Sequence, residues 1–250
     1  MLDVAIRKAD GSTAVDLGRR AAGTTPPLPV AEALRPVLPD GLRRGSTVTV
    51  AGSVSLLLAV LGAASADGAW AALVGFPRIS AEAAGEYGIR LDRLALVPAP
   101  GPGWTTAVGA LLDAVDLVAA RIPRGRDITP GDIRRLAARA RTRGAILIPY
   151  RVGAGTAESW PGADVRLVAE LGPWSGIGVG TGRLRARAVT VSASGRGASA
   201  RPRSVQLWLP ATGGGVDLAP AEHDLAPVLD DERPARFATD RLAPVIDLAG

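Results

Sequence analysis

The run TVTVAGSVSLLLAVL, Thr47–Leu61, constrains the fold more than any other stretch of the chain. Thr47–Val50 is entirely β-branched, as expected of a strand buried on both faces. A glycine turn follows, and then Ser55–Ala66, a helical run with almost no polar side, which must lie inside the molecule. In a nucleotide-binding α/β domain a phosphate-cradling loop occupies this turn. Here it is only Gly52-Ser53-Val54-Ser55, with no lysine in it or just after it. Whether that turn is a working site decides whether the chain is an enzyme.

The pattern around this run alternates. Upstream, Ser12–Ala21 and Val30–Leu38 read as short helices, broken by Thr24-Thr25-Pro26-Pro27 and Pro39-Asp40-Gly41. Downstream come strand Ala69–Val74, helix Ser80–Tyr87, strand Leu94–Val97, the Pro98–Gly103 loop and helix Trp104–Ala114. Strand Asp116–Ala120 follows, then a helix opened by Thr129-Pro130 and running to about Arg143, then strand Ala145–Pro149. Strands alternating with helices of this length predict an α/β fold with a parallel core and helices on both faces. After Tyr150 the helices stop. Asp164–Ala169, Arg183–Ser194 and Arg203–Leu209 read as strands, with Gly195-Arg196-Gly197 turning a terminal antiparallel hairpin. Three segments result: residues 1–40, an N-terminal helical segment; 41–210, the core; and 211–250, a turn-rich tail that folds against its own domain or a partner.

Composition narrows the chemistry. There is no cysteine, and the single histidine, His223, lies in a polar C-terminal segment, which disfavours thiolate, disulfide and histidine-based sites. The start MLDVAIRKADG is too short and charged for a signal peptide, and no apolar run is long enough to span a bilayer. The expectation is a soluble intracellular protein without a membrane role. The net charge of +5 is carried by arginine, Lys8 being the one lysine. That charge reads either as genomic composition on solvated faces or as a surface for nucleic acid or an acidic partner.

The sheet order, the terminal antiparallel strands and the entry through Gly41–Thr47 resemble a RecA-type core, and the likeness continues through Trp70–Asp92. More closely, LPDGLRRGSTVTVAGS (Leu38–Ser53), WPGADVRL (Trp160–Leu167) and GRLRARAV…RPRSVQLWLP (Gly182–Pro210) resemble the actinobacterial ImuA-like (ImuA-prime) proteins of a mutagenic repair cassette. The resemblance implies a RecA-like mixed sheet. It also implies a role in DNA-damage-induced translesion synthesis, beside a catalytically inactive Y-family polymerase homologue, ImuB. Through ImuB it implies an error-prone replicative-type polymerase and the sliding clamp, and a cytoplasmic, nucleoid-associated location.

Set against an active RecA-type ATPase, the chain departs at three positions. The turn Gly52, Ser53, Ser55 has lost residues and the phosphate-binding lysine, and its serines serve equally well as helix caps. Arg121 in DLVAAR stands where the resemblance places a metal-holding aspartate, and Phe76 where it places a water-activating glutamate. The expectation is a degenerate ATPase fold, not an enzyme, with no cofactor and no metal. A residual nucleotide sensor is the remaining alternative at this turn.

Other motifs have weaker claims. Asp113/Asp116 and Glu82/Glu86 fit helix faces or strand starts, and Asp230-Asp231-Glu232 fits a solvated loop. Gly176–Gly182, GIGVGTG, lacks the strand–turn–helix context of a dinucleotide loop and reads as a flexible loop at the sheet edge. Two features can carry binding. Arg183, Arg185 and Arg187 alternate along a strand, which puts them on one face, with Arg196, Arg201 and Arg203 around the turn and return strand. They serve either as contacts to phosphates or an acidic protein tail, or as a charged face that keeps an edge hairpin from aggregating. The second feature is the tail, where Phe237, Leu242, Val245 and Ile246 dock on the core or engage a partner, and Pro244 rules out one long helix. The leading expectation is an adaptor that binds ImuB through tail and hairpin. The alternative is single-stranded DNA binding or recombinase modulation through the basic hairpin. Self-association fits the fold, with no stretch that specifies a symmetric interface.

Overall fold

A computed structural model describes residues 26–123, 128–153, 160–177, 182–196 and 201–219. Among these, nine strands form one sheet. In chain order they are β1 (Val48–Ala51), β2 (Ala71–Val74), β3 (Leu94–Val97), β4 (Leu117–Arg121), β5 (Ile146–Arg151), β6 (Val165–Ile177), β7 (Gly182–Gly195), β8 (Arg203–Trp208) and β9 (Asp217–Leu218). The helices are α1 (Val54–Ala66), α2 (Ala81–Glu86), α3 (Trp104–Ala114) and α4 (Pro130–Arg143). The sheet order is β3-β2-β4-β5-β1-β6-β7-β8-β9. Strands β1 to β6 pair in parallel, and β6 to β9 pair antiparallel. The expected mixed α/β sheet is present.

Period-two alternation divides the core between the two faces. On β5, Ile146, Ile148 and Tyr150 enter a cluster with α1, while Leu147 enters another with α3 and α4. Helix α1 is apolar all round because its cluster also holds Leu28, Val30, Leu34, Val37, Leu38 and Leu42 from the segment before β1. That segment is not the expected helix. Only Glu32–Leu34 forms a short 3-10 turn, since Pro36 cannot donate into a continuing helix.

Helix α4 begins and ends where its sequence dictates. Thr129 and Asp132 form a reciprocal capping box, and Gly144 closes the helix in the left-handed conformation at φ 70°. At the amino edge of the sheet Asp116 accepts hydrogen bonds from Arg44 (2.8 Å) and the Trp70 amide (3.0 Å). Asp164 accepts from the Thr47 amide at 2.9 Å and pairs with Arg43. These carboxylates tie loops to strand starts.

The largest departure is β6. It continues eight residues past the expected end at Ala169, so of the expected Gly176–Gly182 loop Gly176 and Ile177 belong to β6 and Gly182 opens β7, while 178–181 lie outside the described residues. Its glycines mark close backbone approach: a Cβ on Gly176 would overlap the Arg183 carbonyl oxygen, and one on Gly172 would lie 2.9 Å from that of Ala188. The sheet also extends beyond Pro210, because β9 pairs with β8 through Leu207–Leu218 and Trp208–Asp217. The described residues fall within one compact unit. Among the described residues no helix is long and apolar enough to cross a membrane.

Candidate functional site

In open α/β sheets ligands bind beyond the carboxyl ends of the parallel strands. At the end of β1, Gly52 adopts φ 92° and its N–H donates to the Arg151 carbonyl at 3.2 Å. A Cβ at Gly52 would overlap the Ala169 carbonyl oxygen, because β6 runs directly against the turn. Ser53 is the N-cap of α1. Its Oγ accepts from the Leu56 N–H at 3.2 Å, and its carbonyl accepts from Leu57 at 3.3 Å. Ser55 stands beside the buried Tyr87 hydroxyl, which makes no well-formed hydrogen bond; burial pushes that phenol above its ordinary value and Ser55 opposes the shift.

The neighbouring strand ends bring aromatic and cationic groups to this edge. Phe76, buried after β2, packs against Tyr150 of β5 with ring centroids 5.4 Å apart. Arg121 ends β4, lies opposite Tyr150 in register, and accepts at its carbonyl from Trp104 Nε1 at 2.8 Å. Burial raises the Tyr150 phenol, and the charge of Arg121 pulls it back. An arginine offers donors and no acceptor, so it neither ligates a cation nor takes a proton. Tyr150, Arg151 and Tyr87 were not singled out by sequence, since only the strand order brings them to the turn. Among the described residues no group of three or more His, Cys, Asp or Glu is placed to hold a metal ion.

The six arginines do not form one patch. Arg183, Arg185 and Arg187 lie at the start of β7, whereas Arg196 follows its end and Arg201 and Arg203 lead into β8. Arg187 stands nine positions, about 30 Å, from Arg196 and six positions, about 20 Å, from Ala193, the register partner of Arg203. Arg183 and Arg185 are exposed. Arg187 is half-buried, donates from Nε to the Gly172 carbonyl at 3.0 Å, and holds its guanidinium carbon 5.5 Å from the ring centroid of Trp174. Trp174, 41% exposed, carried no weight in the sequence; its place after Gly172-Pro173 hid it in an apparent break. The register shifts between Leu171 and Trp174, and that bulge turns Trp174 to face Arg187.

The carboxylate pairs have other work. Asp113 pairs with Arg139 and, at 2.9 Å, with Arg143, locking α3 to α4. Those guanidiniums hold its carboxyl below the usual range, Arg139 contributing most. Glu82 and Glu86 are exposed on α2, where Gly214 and Gly215 pack against Glu86. His223, Asp230–Glu232, Phe237, Leu242, Val245 and Ile246 lie outside the described residues.

Comparison with known proteins places this geometry. The crystal structure of the RadB recombinase superposes with a TM-score of 0.55 at 15% identity, covering 76% of this chain and 97% of that one. The fold is therefore RecA-like. The uncharacterized protein Rv3395c of Mycobacterium tuberculosis is 36% identical over 138 residues, 55% of this chain. The chain spans 64% of the length of that relative. Residues 36–162, from the segment that packs on α1 through the strands that end around the closed turn to Trp160, match the MT3502 N-terminal domain, and the chain belongs to that family.

Proposed function

We propose that this protein is a non-catalytic accessory factor of DNA-damage-induced mutagenic translesion synthesis, a RecA-like core that has exchanged nucleotide chemistry for docking. The observation that carries the first half is the turn at Gly52. Its N–H donates to a neighbouring strand and β6 closes against it, and Arg121 and Phe76 stand where the resemblance to an active RecA-type ATPase places carboxylates. A phosphate cradle needs free amides and a lysine, and a metal-assisted hydrolysis needs a carboxylate. The second half rests on the resemblance to ImuA-like proteins. The partner is then the inactive Y-family homologue ImuB, with the error-prone polymerase and sliding clamp reached through it. We assign partner binding to the tail bearing Phe237, Leu242, Val245 and Ile246.

Titration calorimetry with ATP and magnesium tests the first half. The expected result is no binding heat and no phosphate release above background. A saturable isotherm makes the turn a nucleotide site and removes this reading.

A further inference from the structure

The β6–β7 hairpin has a use that the docking reading does not supply. Strand β6 pairs with β1 only as far as Val168, and β7 meets β8 only from Ala188 onward. The rest, 170–177 with 182–186, is a two-stranded arm reaching past the carboxyl ends of the parallel strands by about 25 Å, and Arg187 at its root still exchanges backbone hydrogen bonds with Leu209 and Pro210. An isolated two-stranded arm is marginal in water and leaves both its edges unpaired.

One face of the arm has a consistent chemistry. Leu167, Ala169 and Leu171 pair with Ala193, Val191 and Val189, and the first two pairs are buried on the α1 side. Continuing outward on that face, Leu171 is 44% exposed, and Trp174 follows with Arg187 across from it. Beyond these the register shifts again between Ser175 and Ile177; there the stem of Arg185 passes over Gly176, where a Cβ would lie 2.8 Å from Arg185 Cγ, and Arg183 follows, exposed, next to the start of β7. Glu170, the acidic residue of the arm, pairs with Thr190 and so projects from the opposite face. Neither Arg183 nor Arg185 has an ion-pair partner among the described residues.

We propose that this face binds single-stranded nucleic acid, with Trp174 as a stacking platform for a base and Arg183 and Arg185 on the adjoining phosphates. A half-exposed indole with a guanidinium over its ring, on a strip whose charges are all positive, suits a ligand that alternates π-faces with phosphates. An acidic peptide would use the arginines and leave the indole idle. Arg187 positions the ring, because its guanidinium is fixed by the Gly172 carbonyl. This assignment concerns the arm and stands apart from the partner reading, which concerns the tail.

Fluorescence anisotropy of a labelled oligothymidylate, titrated with the full chain at several salt concentrations, tests it. Trp174→Ala is expected to weaken binding roughly tenfold with the salt slope unchanged, and Trp174→Phe to keep most of the affinity. Arg183→Ala with Arg185→Ala is expected to reduce the slope by about 1.4, two single-strand phosphate contacts. All three side chains are at least partly exposed, and an unchanged melting temperature verifies the fold of each variant. No anisotropy change for the wild type at low salt overturns the proposal. So does equal affinity of Trp174→Ala, or binding of a polyglutamate peptide in place of the oligonucleotide.

Discussion

Gly62, in the middle of helix α1, faces the backbone carbonyl of Tyr87 with no room for a Cβ between them. Helix propensity alone favours Gly62→Ala by up to about 1 kcal/mol. The contact reverses the sign, because the displaced atoms are backbone and the loop that closes over α1 must move. Urea unfolding is expected to show a net loss of about 2 kcal/mol. Gly52→Ala is expected to lose at least as much, since φ 92° adds strain to its overlap with Ala169.

Tyr87 and Tyr150 both have phenols raised above their ordinary value of 10.0, with burial the leading cause in each. A raised phenol keeps its proton in the folded state while the unfolded chain ionises. The stability it contributes is therefore complete below 10.0 and is lost as pH rises from there through the folded-state value. Unfolding free energy is expected to decline above about pH 10, less steeply in Tyr87→Phe. At neutral pH Tyr87→Phe should change stability by less than about 1 kcal/mol, because the hydroxyl it removes has no well-formed hydrogen bond.

Asp113 tests the α3–α4 lock on the acid side. Its carboxyl is held low by Arg139 and then Arg143, so the stabilisation is present above the ordinary carboxylate value and disappears as pH falls through the folded value. Asp113→Asn is expected to cost about 1 kcal/mol at pH 7 and to flatten the acid limb of the stability curve. Asp116→Ala is expected to cost more, about 2–3 kcal/mol. It leaves a mostly buried Arg44 and the Trp70 amide without this acceptor. Denaturant curves at two pH values separate the two variants.

Much of the core was legible because its signals are local and mutually consistent. The β-branched run Thr47–Val50 gave the central strand, Thr129-Pro130 opened α4, and the unbroken apolar run Leu56–Leu61 required a helix covered from both sides. The misses come from residues that break local patterns for tertiary reasons. Gly172, Pro173 and Gly176 read as strand breakers, yet they form a bulged strand whose partner comes close to them. Pro36 ended a helix that apolar spacing alone predicted. At the site, the turn without a lysine is plain in the sequence, as are Arg121 and Phe76 where the resemblance places carboxylates. The closure of β6 on Gly52 and the meeting of Phe76, Tyr150 and Arg121 were not, because both depend on strand order.

We propose a core that docks rather than hydrolyses, with a partner held by the tail. Since β9 ends at Leu218, a chain ending at Ala219 keeps the whole described sheet. The direct measurement is the native mass of what forms when the full chain or this shortened chain is co-expressed with the inactive Y-family homologue. The expected result is one species of combined mass for the full chain, and a folded but solitary shortened chain. A full chain that remains alone, or a shortened chain that still forms the complex, would contradict it.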